Sequence, residues 1–152
     1  MISMDLKTQL NESLKAAMKS GDEIRRNTLR MALAAIKQAE IDRRLVLDDA
    51  AVIALLQKEI KHRREALEEA HRAGRADLIA TNQAEIAILE AFLPKAMSPD
   101  ELRTVVQAAI AEVGAASLSD MGKVMKAVMP RVAGRAPGEA VSAMVKELLQ
   151  SR

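Results

Sequence analysis

The chain contains no cysteine, tryptophan or tyrosine, and Phe92 is its one aromatic residue. Without cysteine there can be no disulfide framework, thiolate metal site or cysteine nucleophile. One aromatic residue argues against recognition of single-stranded nucleic acid by base stacking. His62 and His71 are the only histidines. Nine residues apart on one helix, they point about 180° away from each other, so they cannot share a metal ion. No metal site and no cofactor is expected. No run approaches the roughly 20 apolar residues of a membrane span. The N-terminus lacks the basic, apolar and small-residue segments of a signal peptide. These absences predict a soluble cytoplasmic protein with no membrane partner.

Helix breakers are scarce at first and then crowded. The prolines are Pro94, Pro99, Pro130 and Pro137, and Gly114, Gly122, Gly134 and Gly138 are four of the six glycines. This shift predicts a domain over residues 1–96 and a second over residues 97–152.

The composition is globular, with 49% hydrophobic and 29% charged residues among 152. Lys and Arg number 23 against 21 Asp and Glu. A surplus of two is not by itself a nucleic-acid footprint.

The first part reads as four helices. Residues 3–20 repeat Leu6, Leu10, Leu14, Ala17 and Met18 at helical spacing. Gly21 then stops the helix and Asp22 caps the next, which runs to Arg43 with Ile24, Thr28, Met31, Ala35 and Ile36 inward. A long third helix follows Asp48, with a stripe of Val52, Leu56, Ile60, Leu67 and Ala70, and ends at Gly74. The fourth covers residues 77–93, with Leu78, Ile86, Leu89 and Leu93 in register.

Three shorter helices complete the chain. Ser98-Pro99-Asp100-Glu101 opens the first with a cap, a proline at the first position and a capping-box glutamate. Leu102, Val105, Val106, Ala109, Ile110 and Val113 form its apolar face, and Gly114 closes it. Ser117-Leu118-Ser119-Asp120 opens the second. Pro137-Gly138 opens the third, with Val141, Met144, Val145, Leu148 and Leu149 inward. No segment alternates as a strand does. The expected fold is all-α: a bundle of long helical hairpins followed by a small three-helix domain.

Catalytic constellations are missing. Gly122-Lys123 is not a phosphate loop, because Ser117 stands where glycine is required and Val124 where a magnesium-binding hydroxyl is required. The adjacent carboxylates Asp48-Asp49 and Glu68-Glu69 diverge on a helix and do not form an acid/base pair. No catalytic residue is assigned, and no intrinsic enzymatic activity is expected.

Two features point to binding. Arg63 interrupts the apolar stripe of the third helix. It reads either as a snorkelling side chain or as an inter-helix or partner salt bridge, with Glu59 the nearest candidate. Residues 121–138 hold Lys123, Lys126, Arg131 and Arg135 and no acid. With Met121 at 0° on a helical wheel, Val124, Met125 and Val128 lie within about 60°, while Lys123 and Lys126 fall near 200° and 140°. The lysines therefore project opposite the apolar face. Pro130 is expected to end or kink the helix, leaving Arg131 and Arg135 on the turn around Gly134. Such a patch suits phosphate contacts, which need cations but no base-edge geometry.

The run from Leu118 through Met121-Gly122-Lys123-Val124-Met125 and Met129-Pro130-Arg131-Val132 to Gly134-Arg135-Ala136 resembles the signature of the GatB/YqeY family. Leu89-Glu90-Ala91-Phe92-Leu93-Pro94 resembles that family's junction, with Phe92 where tyrosine is common. Asn27-Thr28-Leu29-Arg30-Met31 resembles its second helix. The resemblance spans essentially the whole chain and fits stand-alone YqeY-like proteins rather than a full amidotransferase B subunit.

It implies a helical N-terminal domain and a small helical C-terminal domain. In the amidotransferase, the similar tail helps hold tRNA while the misacylated aminoacyl group is amidated. The family label, carbon–nitrogen ligase activity with glutamine as amido-N-donor, belongs to a catalytic region without counterpart here. What carries over is a tRNA-binding role for Lys123, Lys126, Arg131 and Arg135. Gly122 carries over as a point of close helix approach, and Gly134 as a turn of positive φ.

Two functions follow as expectations. One is a tRNA-binding accessory module working with amidotransferase or aminoacyl-tRNA machinery. The other is a protein–protein adaptor that uses the charged N-terminal helices, with Arg63 as a partner contact.

Overall fold

The computed structural model describes residues 5–151. Among these are seven α-helices and no strand, so the fold is all-α. The chain divides into two compact units, Met1–Leu93 and Pro94–Arg152.

The first unit holds α1 (Leu6–Ser20), α2 (Glu23–Arg43), α3 (Asp49–Arg72) and α4 (Ala76–Glu90). Each of the first three helices starts on an aspartate whose carboxylate accepts a backbone N–H of the first turn. Asp5 accepts from Thr8, Asp22 from Arg25 and Asp48 from Ala51. The expected start at Ser3 lies outside the described residues. Gly21 terminates α1 in the left-handed region, at φ 75°.

The helices form two hairpins, α1 on α2 and α3 on α4, joined mainly by α2 lying on α4. Their shared core contains Leu10, Leu29, Val52, Leu56 and Leu89, all fully buried. Burying a leucine side chain is worth about 1.5–3 kcal/mol, so this cluster holds the hairpins together.

Three stripes differ from expectation. In α2 the buried line is Thr28, Leu29, Ala32 and Ile36, while Ile24 and Met31 are exposed. This helix meets α1, α3 and α4, so its buried arc is wide and set by three neighbours. Thr28 satisfies its buried hydroxyl by donating to the Ile24 carbonyl at 2.7 Å. In α4, Leu78 is exposed and Ile88 is buried, and the helix stops at Glu90 rather than at Leu93. Met18, expected on the inner face of α1, is also exposed.

The second unit is a triangle of α5 (Pro99–Val113), α6 (Met121–Val132) and α7 (Gly138–Gln150), with a 3-10 turn, Leu118–Asp120, ahead of α6. Val106, Val124, Val128, Val132, Val141 and Val145 are fully buried at its centre. Ser98 caps α5 by accepting from the Glu101 N–H at 3.1 Å. Gly114 closes α5 at φ 68°. The spacing of apolar residues in α5 and α7 matches the observed buried faces.

Candidate nucleic-acid interface

The cationic stretch is built on α6. Asp120 precedes the helix and accepts the Ala116 N–H at 2.9 Å and the Ser117 N–H at 3.3 Å. These two backbone donors, with Lys123 nearby, hold its carboxyl below the usual aspartate range. Its charge also suits the start of a helix.

From there Val124, Val128 and Val132 turn into the core, with Met121 and Met125 partly buried beside them. Lys123 and Lys126 are exposed on the other side. Neither lysine has an ion-pair partner among the described residues.

Pro130 does not end the helix. It sits inside α6, which continues to Val132. Proline removes the N–H that would reach the Lys126 carbonyl. Lys126 is an exposed residue, so the freed carbonyl is on the side open to solvent. Arg131 therefore stands in the last turn of α6, and not on the turn after it. The chain reverses at Ala133 and Gly134, both with positive φ, 48° and 80°. Gly134 thus occupies the conformation expected of it.

Gly122 does not have its expected role. A Cβ built there would meet nothing within 4 Å, so no helix approaches it closely.

The four cations fall into two pairs. Arg131 forms an ion pair with Glu112 of α5. The Arg135 guanidinium binds Glu101 at 2.9 Å and donates from Nε to the Lys95 carbonyl at 2.9 Å, while the Arg135 carbonyl accepts the Met97 N–H at 2.8 Å. Arg135 thereby ties the segment before α5 to the turn after α6. The same contact holds the Glu101 carboxyl below the usual glutamate range, with a backbone hydrogen bond from Ser98 adding to it. Glu101 and Glu112 are 34 and 19 residues from their arginines. Nothing local in the sequence signals these pairings. The solvent-facing charge of the site is therefore carried chiefly by Lys123 and Lys126.

Arg63 lies in the first unit and takes no part in this surface. Its side chain is 8% exposed. Nε donates to Glu85 of α4 at 2.9 Å, and Nη1 donates to Glu59 at 3.0 Å and to the Glu59 carbonyl at 3.2 Å. Of the two alternatives, the inter-helix salt bridge is the one present. An outside partner would have to displace two carboxylates from a buried guanidinium. Among the described residues, no group of three histidine or carboxylate side chains is placed to hold a metal ion.

Comparison with known proteins places the chain among homologues. It is 30% identical to Altered inheritance of mitochondria protein 41, mitochondrial, of Pyrenophora tritici-repentis, over 95% of this chain and 81% of that protein. Proteins of the same name match at 35% in Lachancea thermotolerans and 34% in Eremothecium gossypii. Each of these two matches covers 59% of this chain, which spans about half (49%) of their length. These names overturn the cytoplasmic expectation, because the relatives are named as mitochondrial proteins. That expectation rested on features the chain lacks, and such absences do not specify a compartment. The Yqey-like protein family matches residues 7–149. A match of that extent, over helices that span both units, shows that the chain belongs to the YqeY-like family.

Proposed function

We propose that the protein is a tRNA-binding accessory module, related to the tail of the tRNA-dependent amidotransferase B subunit, with no amidating chemistry of its own. The observation that carries this reading is the outer face of α6. There Lys123 and Lys126 stand side by side in solvent, with no ion-pair partner among the described residues, on a helix whose other face is locked into the core. A rigid pair of free ammonium groups is suited to backbone phosphates, which specify charge and spacing rather than sequence. Arg131 and Arg135 flank the pair, each in an ion pair with a carboxylate for which a phosphate would have to compete. Structured RNA is the fitting class, because it is read by shape and backbone, and the chain has no aromatic surface for splayed bases. The adaptor alternative rests on the long N-terminal hairpins, the charged third helix and Arg63, and of these the charge of Arg63 is taken up inside the first unit.

The test is binding of the full chain to total tRNA at about 150 mM salt, where weak non-specific attraction is largely screened. Wild-type protein binds and a Lys123→Glu/Lys126→Glu variant does not, while both give the same far-UV dichroism. Equal binding by the two proteins would refute the proposal.

A further inference from the structure

A second acid-free stretch lies in the first unit. Residues 24–39 contain Arg25, Arg26, Arg30 and Lys37 and no carboxylate, the same count of four cations found in residues 121–138. All four stand on α2. At 100° per residue, Arg26, Lys37 and Arg30 fall at about 0°, 20° and 40°, in one line along the helix. On the same wheel Thr28, Ala32 and Ile36, all buried, lie about 100–180° from Lys37, while the buried Leu29 lies about 60° from Arg26, at the edge of the row. Arg30 and Lys37 are exposed, and neither has an ion-pair partner among the described residues. Arg26 contacts only the Asn27 side chain, at 3.4 Å.

Three of the four flanking acids are engaged elsewhere. Asp22 caps α2 and pairs with Arg25, at 3.4 Å. Glu40 binds Lys7 and the Leu47 N–H, both at 2.8 Å. Asp42 accepts from Gln38 at 2.8 Å. Glu23 lies in the first turn of α2, where its charge suits the helix start, about 60° round the wheel from Arg26. The row therefore presents less-compensated charge than the α6 stretch, where two of four cations are paired.

We infer that the Arg26–Arg30–Lys37 row of α2 is a second phosphate-binding face, which takes the sugar–phosphate backbone of the same class of structured RNA. This rests on the RNA-binding reading above and adds a separate surface to it. The row is about 16 Å long at 1.5 Å per residue. At the roughly 3.4 Å spacing of a B-form DNA strand, that is the axial span of about five phosphates. Between its ends lie Asn27, Ala34 and Leu33, and Leu33 packs against the core. Met31, the exposed large hydrophobic side chain between Arg26 and Lys37 in sequence, stands at about 140° on the wheel, off the line of cations, so the row itself suits a polyanion in solution rather than a lipid surface.

The experiment compares four proteins in tRNA binding across a salt series: wild type, Arg30→Glu/Lys37→Glu, Arg30→Lys/Lys37→Arg and Lys123→Glu/Lys126→Glu. Both α2 positions are exposed and helical, and glutamate keeps the helix. Thermal unfolding confirms that each variant folds. The charge-reversed α2 variant is expected to bind at least tenfold more weakly at 150 mM salt, and its salt slope to fall by about 2, one per lost phosphate contact. The charge-keeping variant is expected to stay within about twofold of wild type. Unchanged affinity and slope in the α2 reversal, with binding lost in the α6 variant, would overturn the inference and leave the proposed function intact. Loss in the α2 reversal alone would keep this face and overturn the assignment to α6. A wild-type protein that ignores tRNA but binds anionic vesicles would overturn both.

Discussion

Replacing Arg63 by alanine is expected to destabilise the first unit by about 3–5 kcal/mol, the cost of breaking a buried ion pair from one side. The magnitude follows from the surroundings. The guanidinium is 8% exposed and makes charge-assisted hydrogen bonds to two carboxylates, each about a quarter exposed. Hydrogen bonds to charged groups contribute about 1.5–3 kcal/mol each. Removing the arginine also leaves Glu59 and Glu85 facing one another without a counter-ion.

Single substitutions Glu59→Gln and Glu85→Gln are expected to cost less, about 1–2 kcal/mol each, because the remaining carboxylate still neutralises Arg63. The double variant is expected to cost more than the sum of the singles, since only then is a buried charge left without any partner. Tryptophan and tyrosine are absent, so unfolding must be followed by far-UV dichroism in urea rather than by fluorescence. The two units can give separate transitions, and the shift belongs to the one that Leu56→Ala also moves. A loss below about 1 kcal/mol for Arg63→Ala, or strict additivity of the two glutamate variants, would refute the reasoning.

The two contrasting glycines of the second unit should respond with opposite sign. Gly122→Ala fills open space in a helix and should stabilise by about 0.5 kcal/mol, whereas Gly134→Ala forces a side chain into φ 80° and should cost about 1–2 kcal/mol; thermal unfolding reads both. Acid stability should depend on Glu101 and Asp120. Their carboxyls are held below the ordinary 4.5 and 3.8, so the stabilisation is present above those values and is lost as pH falls through the lower folded-state values. Glu101→Gln and Asp120→Asn should flatten the acid limb of the pH–stability curve, and an unchanged limb would count against the hydrogen bonds assigned to them. Leu56→Ala, at a fully buried position, should cost about 2–5 kcal/mol in urea unfolding.

Local signals in the sequence correspond closely to local structure. Gly21, Asp22, Asp48 and Ser98 mark helix ends because each acts on backbone groups within four residues of itself. The valine and methionine face of α6 is also legible, because one side of that helix meets the core and the other meets water. The inner line of α2 is not. Three neighbouring helices share its surface, and Ile24 and Met31 remain in solvent despite helical spacing.

Pro130 shows the limit of a breaker rule near a helix end, where water can serve the freed carbonyl. The candidate site was half legible. Its lysines stand out by sequence alone, but the pairing of Arg131 with Glu112 and of Arg135 with Glu101 arises only when α5 and α6 pack together. The α2 row is not legible along the chain for a related reason. Its cations are spread over three turns, and they align only on the helix.

The most direct measurement is lysine footprinting: acetylation of the full chain with and without tRNA at 150 mM salt, read by mass spectrometry at each lysine. The account predicts that Lys123 and Lys126 are protected by tRNA, while Lys15 and Lys146, both exposed, react as before. Equal modification of Lys123 and Lys126 with and without saturating tRNA would contradict it.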